Sequence, residues 1–203
     1  MRRITVMGGG GTGIMMAADL SLKGHEVTLF EVEGHESKIM EVKERGYVEI
    51  TGNAANGKVV LSNITTSIEE AMEDPEYILI GCMAQRQEGF MDLMVPYLKD
   101  GQVVCFSAGN CASVILKNKI RDKKVLVGEM QGNIYPCRML PDGKLISAFP
   151  FKEKGMSAFP ARDNEKYIEA MKEVYPCHAV KNVFETALNS PNTSIHLAGS
   201  ILG

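Results

Sequence analysis

The feature that most constrains the fold is a run of glycines between a short β-rich segment and a helical segment. Ile4 and Val6 belong to the β-rich segment, and residues 8–13 read Gly-Gly-Gly-Gly-Thr-Gly. From Ile14 onward the apolar residues recur with helical spacing, and a second apolar strand follows and ends at Glu31. This order predicts a βαβ unit, which builds parallel sheets.

The same alternation continues along the chain. It predicts strands at 77–81, 102–106 and 124–128, helices at 36–45, 86–98, 112–120 and 163–174, a hairpin joining 47–50 to 58–61, and a turn at 141–143 between two strands. We therefore expect an α/β protein of the Rossmann type, with a doubly wound and mostly parallel sheet. We assign residues 1–180 to this nucleotide-binding domain.

The last segment, residues 181–203, has a different pattern. Its apolar residues have helical spacing around a break at residues 190–192, and nothing that follows them in this sequence covers an apolar helix. We interpret the segment as the truncated beginning of a second, helical domain whose remainder is absent. An apolar surface of this kind favours either self-association into a homo-oligomer or loss of order at the terminus, and both alternatives stay open on the sequence.

Composition excludes several classes of protein. The 203 residues carry a net charge of -3, which gives no electrostatic footprint for nucleic acid. No apolar run reaches the ~18 residues of a membrane span, and the chain enters a strand without a signal-peptide core, so we expect no membrane partner and a cytoplasmic location. The five scattered cysteines include no Cys-x-x-Cys pair, which suits reduced thiols and predicts no metal site.

The glycine run matches the G-x-G-x-x-G pattern of dinucleotide-binding loops. Gly8 permits the tight turn, Gly10 lets the backbone approach a pyrophosphate, and Gly13 lets helix and strand pack closely. The N-terminus of the helix supplies free N–H groups for the anion. We expect the whole loop to contact the cofactor, namely Gly8, Gly9, Gly10, Gly11, Thr12 and Gly13. The alternative is a tight glycine turn that binds no ligand.

Glu31 stands where a carboxylate accepts hydrogen bonds from the adenosine ribose. A 2′-phosphate would need a cation, and the nearest one in sequence is Lys38, so the pattern favours NAD over NADP without excluding NADP. The alternative is a solvated acid at a strand end. Ligands of open α/β sheets lie beyond the carboxyl ends of the strands, which adds Met83 and Gly109 as cofactor contacts, or else as parts of ordinary turns.

Histidine suits acid/base chemistry because its pKa lies near neutrality. Of the four histidines, His196 lies in the apolar C-terminal segment, four residues after Asn192 and seven after Asn189. A polar residue at that position faces a cleft between domains or is a helix histidine with a structural hydrogen bond. Both interpretations remain open on the residues alone.

Several segments together resemble the octopine/nopaline (opine) dehydrogenases. The resemblance lies in residues 4–13, 17–20 and 24–29, in 100–104, 129–131 and 135–138, and in 182–189 and 192–196. It thus covers essentially all of this chain but only about half of the family's length. The chain departs from the family in two places. It has Leu197 where the family usually has proline, and it has Ser-Ala-Gly at residues 107–109 where the family has an Asn-Pro-Gly loop.

The resemblance implies an oxidoreductase acting on CH-NH donors. Opine dehydrogenases join a 2-oxo acid and the amine of an amino acid as an imine, which NAD(P)H reduces to a secondary amine. By that resemblance the catalytic residue His196 acts as the acid/base group or polarises the carbonyl, and Asn192 or Asn189 orients the substrate. The acidic partner of the histidine is not identifiable in this sequence, and the groups that select the two substrates are expected beyond residue 203.

Two other functions fit the same residues. One is a nucleotide-binding or assembly module without catalysis. The other is a ketopantoate-reductase or glycerol-3-phosphate-dehydrogenase relative, which would share the nucleotide-binding domain. Those enzymes use a lysine for proton transfer. No lysine follows Asn182 in this sequence, which disfavours this alternative.

Overall fold

The computed structural model describes residues 1–147, 153–190 and 201. Its strands are β1 (Arg3–Met7), β2 (Glu26–Phe30), β3 (Val48–Gly52), β4 (Gly57–Val59), β5 (Asn63–Thr65), β6 (Tyr77–Ile80), β7 (Val103–Ser107), β8 (Leu126–Met130), β9 (Cys137–Met139), β10 (Leu145–Ser147), β11 (Lys154–Ala158) and β12 (Cys177–Ala179). Its α-helices are α1 (Gly11–Leu22), α2 (Ser37–Arg45), α3 (Ile68–Ala71), α4 (Ala84–Met94), α5 (Ala112–Lys119), α6 (Asn164–Met171) and α7 (Val183–Leu188).

Eight strands form the main sheet, in the order β12-β11-β8-β7-β6-β1-β2-β5. Every neighbouring pair in it is parallel except β11 with β8. The chain winds outward from β1 through β2 to β5, and then returns to the other side of β1 at β6. This reversal of strand order is the doubly wound Rossmann arrangement, so the predicted fold class is confirmed.

Both faces of the main sheet are buried, as parallel sheets require. Along β6, Tyr77 and Leu79 join the core on the side of α1 and α6, whereas Ile78 and Ile80 join the core on the side of α4 and α5. The alternation follows from the two-residue period of a strand. Continuous apolar runs in the sequence therefore mark strands that are covered by helices on both sides.

A second sheet, β4-β3-β10-β9, packs on the outer face of α1. Because α1 then lies between two sheets, eight consecutive residues, 13–20, are buried. A helix that is apolar all round is buried on all sides, and this one is. The hairpin and the turn predicted from the sequence supply these four strands, but their union into one sheet, with β3 and β10 parallel, was not predicted.

One local prediction is wrong. The strand expected at 124–128 lies at 126–130, because Gly128 does not end the strand: a Cβ there would lie 2.4 Å from the Tyr167 ring, so the glycine admits that ring. A strand that was not predicted, β12, contains Cys177 and His178 and pairs with β11. Short edge strands of this kind carry too few residues to show a period.

Among the residues that the structure describes, no helix has the length and apolarity needed to cross a membrane. Helix α7 follows β12 and presents two large apolar side chains to solvent, Phe184 and Leu188, which are 60% and 73% exposed. The boundary proposed at residue 180 falls between β12 and α7.

Candidate functional site

The glycine loop connects β1 to α1 and leaves the start of the helix open. Gly10 is the N-cap residue, in extended conformation, and no side chain caps the helix there. The first helical hydrogen bond runs from the N–H of Ile14 to the carbonyl of Gly10. The N–H groups of Gly11, Thr12 and Gly13 therefore have no acceptor within the helix.

The three motif glycines differ in what surrounds them. Gly8 has a φ of 120°, in the left-handed region, and a Cβ on Gly13 would lie 1.7 Å from the carbonyl oxygen of Gly8. These two positions thus allow the turn and the close packing of α1 against β1. A Cβ on Gly10 would meet no atom within 4 Å. The space above Gly10 is open to a ligand.

A cleft of about 470 Å³ lies along the carboxyl ends of the central strands. There the helices that follow the paired strands β1 and β6, α1 and α4, pack on opposite faces of the sheet. We call it the central cleft. It is lined by Gly8, Gly10, Gly11, Thr12, Glu31, Lys38, Gly81, Cys82, Met83, Ala84, Arg86, Ser107, Ala108, Asn110 and Asn133. Ligands of doubly wound sheets bind at this switch point. The larger part of the predicted cofactor residues thus share one cavity.

Glu31 lies in the central cleft, but its carboxylate is already bound by protein donors. The side chain is 1% exposed. It accepts hydrogen bonds from the N–H of Gly9 at 2.8 Å and from the N–H of Val32 at 2.8 Å, and it forms an ion pair with Arg86 at 2.6 Å. The alternative interpretation of Glu31 as a solvated strand-end acid is therefore wrong, whereas its contact with a ribose stays a prediction. No local pattern in the sequence indicates Arg86, which lies 55 residues further on.

The hydrogen bonds of Glu31 stabilise the glycine loop itself. Gly9 does not line the central cleft, because a Cβ on it would lie 2.6 Å from Ile39 and 3.1 Å from the Cβ of Glu31. Its N–H donates to the carboxylate. Gly9 is thus placed against α2 and Glu31, whereas Gly10, Gly11 and Thr12 face the cavity.

A second buried carboxylate, Glu129, holds the loop on the opposite wall. It accepts from the N–H of Cys111 at 3.0 Å, from the N–H of Ser113 at 2.9 Å and from the hydroxyl of Ser113. A carboxylate is favourable at the N-terminus of a helix, here α5. A Cβ on Gly109 would lie 2.6 Å from the carboxyl carbon of Glu129, so this glycine makes room for the acid.

The loop held by Glu129 has an unusual backbone. Ala108, Asn110 and Cys111 have φ values of 54°, 52° and 74°, in the left-handed region. Such conformations persist where surrounding contacts fix them, and they concentrate at functional sites. Ala108 and Asn110 line the central cleft. Of the two strand-end contacts predicted, Met83 lines the cleft and is 68% exposed, whereas Gly109 lies between two lining residues.

Asn133 connects the glycine loop to the segment after β8. Its side-chain amide N–H donates to the hydroxyl of Thr12 at 3.0 Å, and its backbone carbonyl accepts from the ammonium of Lys154 at 3.2 Å. Partial burial lowers the pKa of Lys154. Nothing in the sequence around residue 133 indicates this contact, because it joins residues 121 positions apart.

The two residues expected to be catalytic, Asn192 and His196, lie outside the described residues. The preceding Asn189 is exposed, and its backbone carbonyl accepts from the side chain of Gln131 at 2.7 Å. This contact brings the end of α7 next to the strand end of β8. The catalytic assignment therefore stays a prediction.

Titratable groups elsewhere in the central cleft are few. Burial raises the pKa of the Cys82 thiol to about 12, so this cysteine is protonated at neutral pH and is a poor nucleophile. All five cysteines are free thiols. Within the described part of the chain, no three His, Cys, Asp or Glu side chains gather in a metal-binding arrangement.

Comparison with known proteins places this geometry among oxidoreductases. The family model described as "Ketopantoate reductase PanE/ApbA" matches residues 4–131. A curated opine dehydrogenase of Arthrobacter sp. (strain 1C) is 25% identical over 202 residues, which cover 97% of this chain and 56% of that protein.

Two solved structures share the fold. Octopine dehydrogenase with NADH and L-arginine is 15% identical, with a TM-score of 0.78 over 98% of this chain and 53% of its own. Yersinopine dehydrogenase with NADP+ bound is 12% identical, with a TM-score of 0.71 over 97% of this chain and 51% of its own. The chain spans about half the length of the relatives it matches.

The glycine geometry predicts that alanine is much more destabilising at Gly13 than at the nearby Gly10. Gly13→Ala forces a Cβ against the carbonyl of Gly8, so the free energy of unfolding should fall by roughly 1–3 kcal/mol or more. Gly10→Ala places its methyl group in open space and should cost less than about 1 kcal/mol. Urea unfolding of both variants measures the difference, and equal losses would contradict the close packing.

The contacts of Glu129 predict that Glu129→Gln destabilises the chain. The amide has one accepting oxygen, so it leaves a buried N–H or hydroxyl of the α5 start unsatisfied, at about 1–3 kcal/mol. Glu169→Gln, on the exposed face of α6, is the matched control and should change the free energy of unfolding little. Thermal or urea unfolding provides the measurement; an effect of Glu129→Gln no larger than that of the control would argue against the role of Glu129.

Proposed function

The chain belongs to the family described as ketopantoate reductase PanE/ApbA, and on that premise we propose that it is the nucleotide-binding part of an NAD(P)-dependent oxidoreductase. One observation carries the proposal: the uncapped N-terminus of α1 opens into the central cleft above Gly10. Free N–H groups and the helix dipole at this point suit a pyrophosphate.

The residues of the central cleft fit a dinucleotide from end to end. Gly10, Gly11 and Thr12 would hold the pyrophosphate, and Glu31, Lys38 and Arg86 lie on the side where β2 ends and the adenosine ribose would bind. Ala108, Asn110 and Asn133 lie on the other side, where a nicotinamide would bind. The nicotinamide supplies a hydride when it is bound, and the protein supplies position and charge.

The relatives favour a reaction of the opine dehydrogenase type. A 2-oxo acid and the amine of an amino acid would condense to an imine with release of one water. A bound NAD(P)H would supply the hydride for reduction of the imine carbon, and the imine nitrogen would need a proton. His196 would supply or hold the proton near the condensing groups, and Asn192 or Asn189 would orient the substrate. The curated opine dehydrogenase, at 25% identity over nearly the whole chain, supports this proposal.

The domain organisation follows the same relatives. Residues 1–180 would form the nucleotide-binding domain, and residues 181–203 would begin a helical substrate domain. The exposed apolar side chains Phe184 and Leu188 on α7 support this division, since apolar surface is usually covered by a neighbouring element. The substrate-selecting groups would then lie mainly in that domain.

A second candidate is reduction of a 2-oxo acid without an amine partner. The description of the matching family favours it, because a ketopantoate reductase acts on a carbonyl group rather than an imine. The two candidates differ in whether an amino acid is required for the oxidation of NAD(P)H.

Gly10→Asp should abolish dinucleotide binding and leave the fold intact. Aspartate is a good N-cap residue, so the free energy of unfolding should change by less than about 1 kcal/mol. Its carboxylate would occupy the N–H groups meant for the pyrophosphate and repel it, which weakens binding roughly a hundredfold or more. Calorimetric titration with NADH and NADPH measures the loss.

Gly89→Asp is the matched control, because Gly89 lies on the exposed face of α4 and a Cβ there meets no atom within 4 Å. It should bind dinucleotide as the unmodified chain does. The proposed function would be refuted if the unmodified chain bound neither NADH nor NADPH. Normal dinucleotide binding by Gly10→Asp would refute it as well.

Turnover separates the two reactions. In the presence of NADH or NADPH, pyruvate and a panel of amino acids, the opine-type reaction predicts loss of cofactor absorbance only when both substrates are present. His196→Asn should lower kcat by about a hundredfold, a common size for loss of an acid/base group, without changing dinucleotide affinity. His178→Asn, at the exposed β12, is the control.

Oxidation with a 2-oxo acid alone would favour the second candidate instead. Dinucleotide binding without oxidation under any of these conditions would contradict catalysis by this chain and would support a binding module.

A further inference from the structure

The side of the central cleft beyond β2 carries more positive charge than the sequence around Glu31 suggests. Three charged side chains line it: Glu31, Lys38 and Arg86. Arg86 is in the first turn of α4 and reaches across to the end of β2. The cleft therefore holds two cations and one carboxylate at the position where the adenosine ribose of a bound dinucleotide would lie.

The carboxylate of Glu31 has no accepting position left. Its Oε2 accepts from the N–H of Gly9 at 2.8 Å and from Arg86 Nη1 at 3.1 Å. Its Oε1 accepts from the N–H of Val32 at 2.8 Å and from Arg86 Nη2 at 2.6 Å. A carboxylate offers about four lone-pair positions, and all are used. A ribose hydroxyl can donate to Glu31 only if Arg86 leaves.

Arg86 is held in place with donors to spare. The bidentate pair with Glu31 uses two of its five N–H groups. The guanidinium carbon lies 5.2 Å from the centre of the Phe90 ring, which further fixes its position. The hydrogen bond to Glu31 raises the pKa of Arg86, so the group stays charged. A guanidinium is well suited to phosphate recognition.

We propose that Arg86, anchored by Glu31, recognises the 2′-phosphate of NADP(H), with Lys38 as the second cation, so that the central cleft prefers the phosphorylated dinucleotide. This inference rests on the proposed function. It reverses the preference that Glu31 alone predicts. In this arrangement Glu31 is a positioning residue for Arg86 and for the glycine loop, instead of a ribose acceptor.

The experiment compares dissociation constants for NADPH and NADH by calorimetric titration. The unmodified chain should bind NADPH more tightly than NADH. Arg86→Gln should weaken NADPH binding by roughly ten- to a hundredfold, since a charge-assisted contact to phosphate is lost. Its NADH binding should be unchanged or tighter, because Glu31 is freed for the ribose hydroxyls. Arg86→Lys keeps a charge and should lie between the two.

Arg121→Gln is the matched control, because Arg121 is an exposed arginine in the turn after α5, outside the residues that line the central cleft. It should leave both dissociation constants unchanged. Thermal unfolding of the Arg86 variants establishes that they fold.

A competition experiment on the unmodified chain tests the same proposal even if those variants do not fold. Adenosine 2′,5′-bisphosphate should compete with NADPH more strongly than adenosine 5′-monophosphate does, whereas equal competition overturns the proposal. It is also overturned if the unmodified chain prefers NADH, or if Arg86→Gln binds NADPH normally. Failure of the unmodified chain to bind both dinucleotides refutes the proposed function itself, which is a distinct result.

Discussion

The close approach of α1 to the turn after β1 determines the geometry of the central cleft. Gly13 lies so near the carbonyl of Gly8 that no side chain fits between them. Helix α1 therefore begins directly at the strand end, and its unpaired N–H groups face the cavity at a fixed position. The proposed binding of a pyrophosphate at this site depends on backbone placement, which only glycine permits here.

Two buried carboxylates hold the walls of the cleft on either side of that helix start. Glu31 accepts from the glycine loop and pairs with Arg86, and Glu129 accepts from the start of α5. A buried charge is costly unless its hydrogen-bonding positions are filled, so each acid fixes the backbone that satisfies it. The cleft is thus shaped by internal contacts, and the strained backbone around Asn110 is held by one of them.

The second sheet has a structural role that reaches the site through α1. It covers the outer face of the helix, and the segment leading to it places Tyr135 against the helix. The hydroxyl of Tyr135 donates to Asp19, which also pairs with Lys23, the C-cap residue of α1. The helix is therefore packed over residues 13–20, which keeps its N-terminus aligned with the cleft.

From the sequence alone one can predict the fold class, the glycine loop at the start of α1 and the edge of the sheet at which the central cleft opens. This is possible because strand and helix periods are local, and because parallel strands bring their carboxyl ends to one edge. The hydrogen-bond and ion-pair partners of the glycine loop and of Glu31 are visible only in the tertiary structure. Arg86, Glu129 and Asn133 lie far from the glycine loop in sequence, and no local period reveals such contacts. For the same reason the sequence located Glu31 correctly, but the charge that surrounds its carboxylate depends on how α4 packs beside β2.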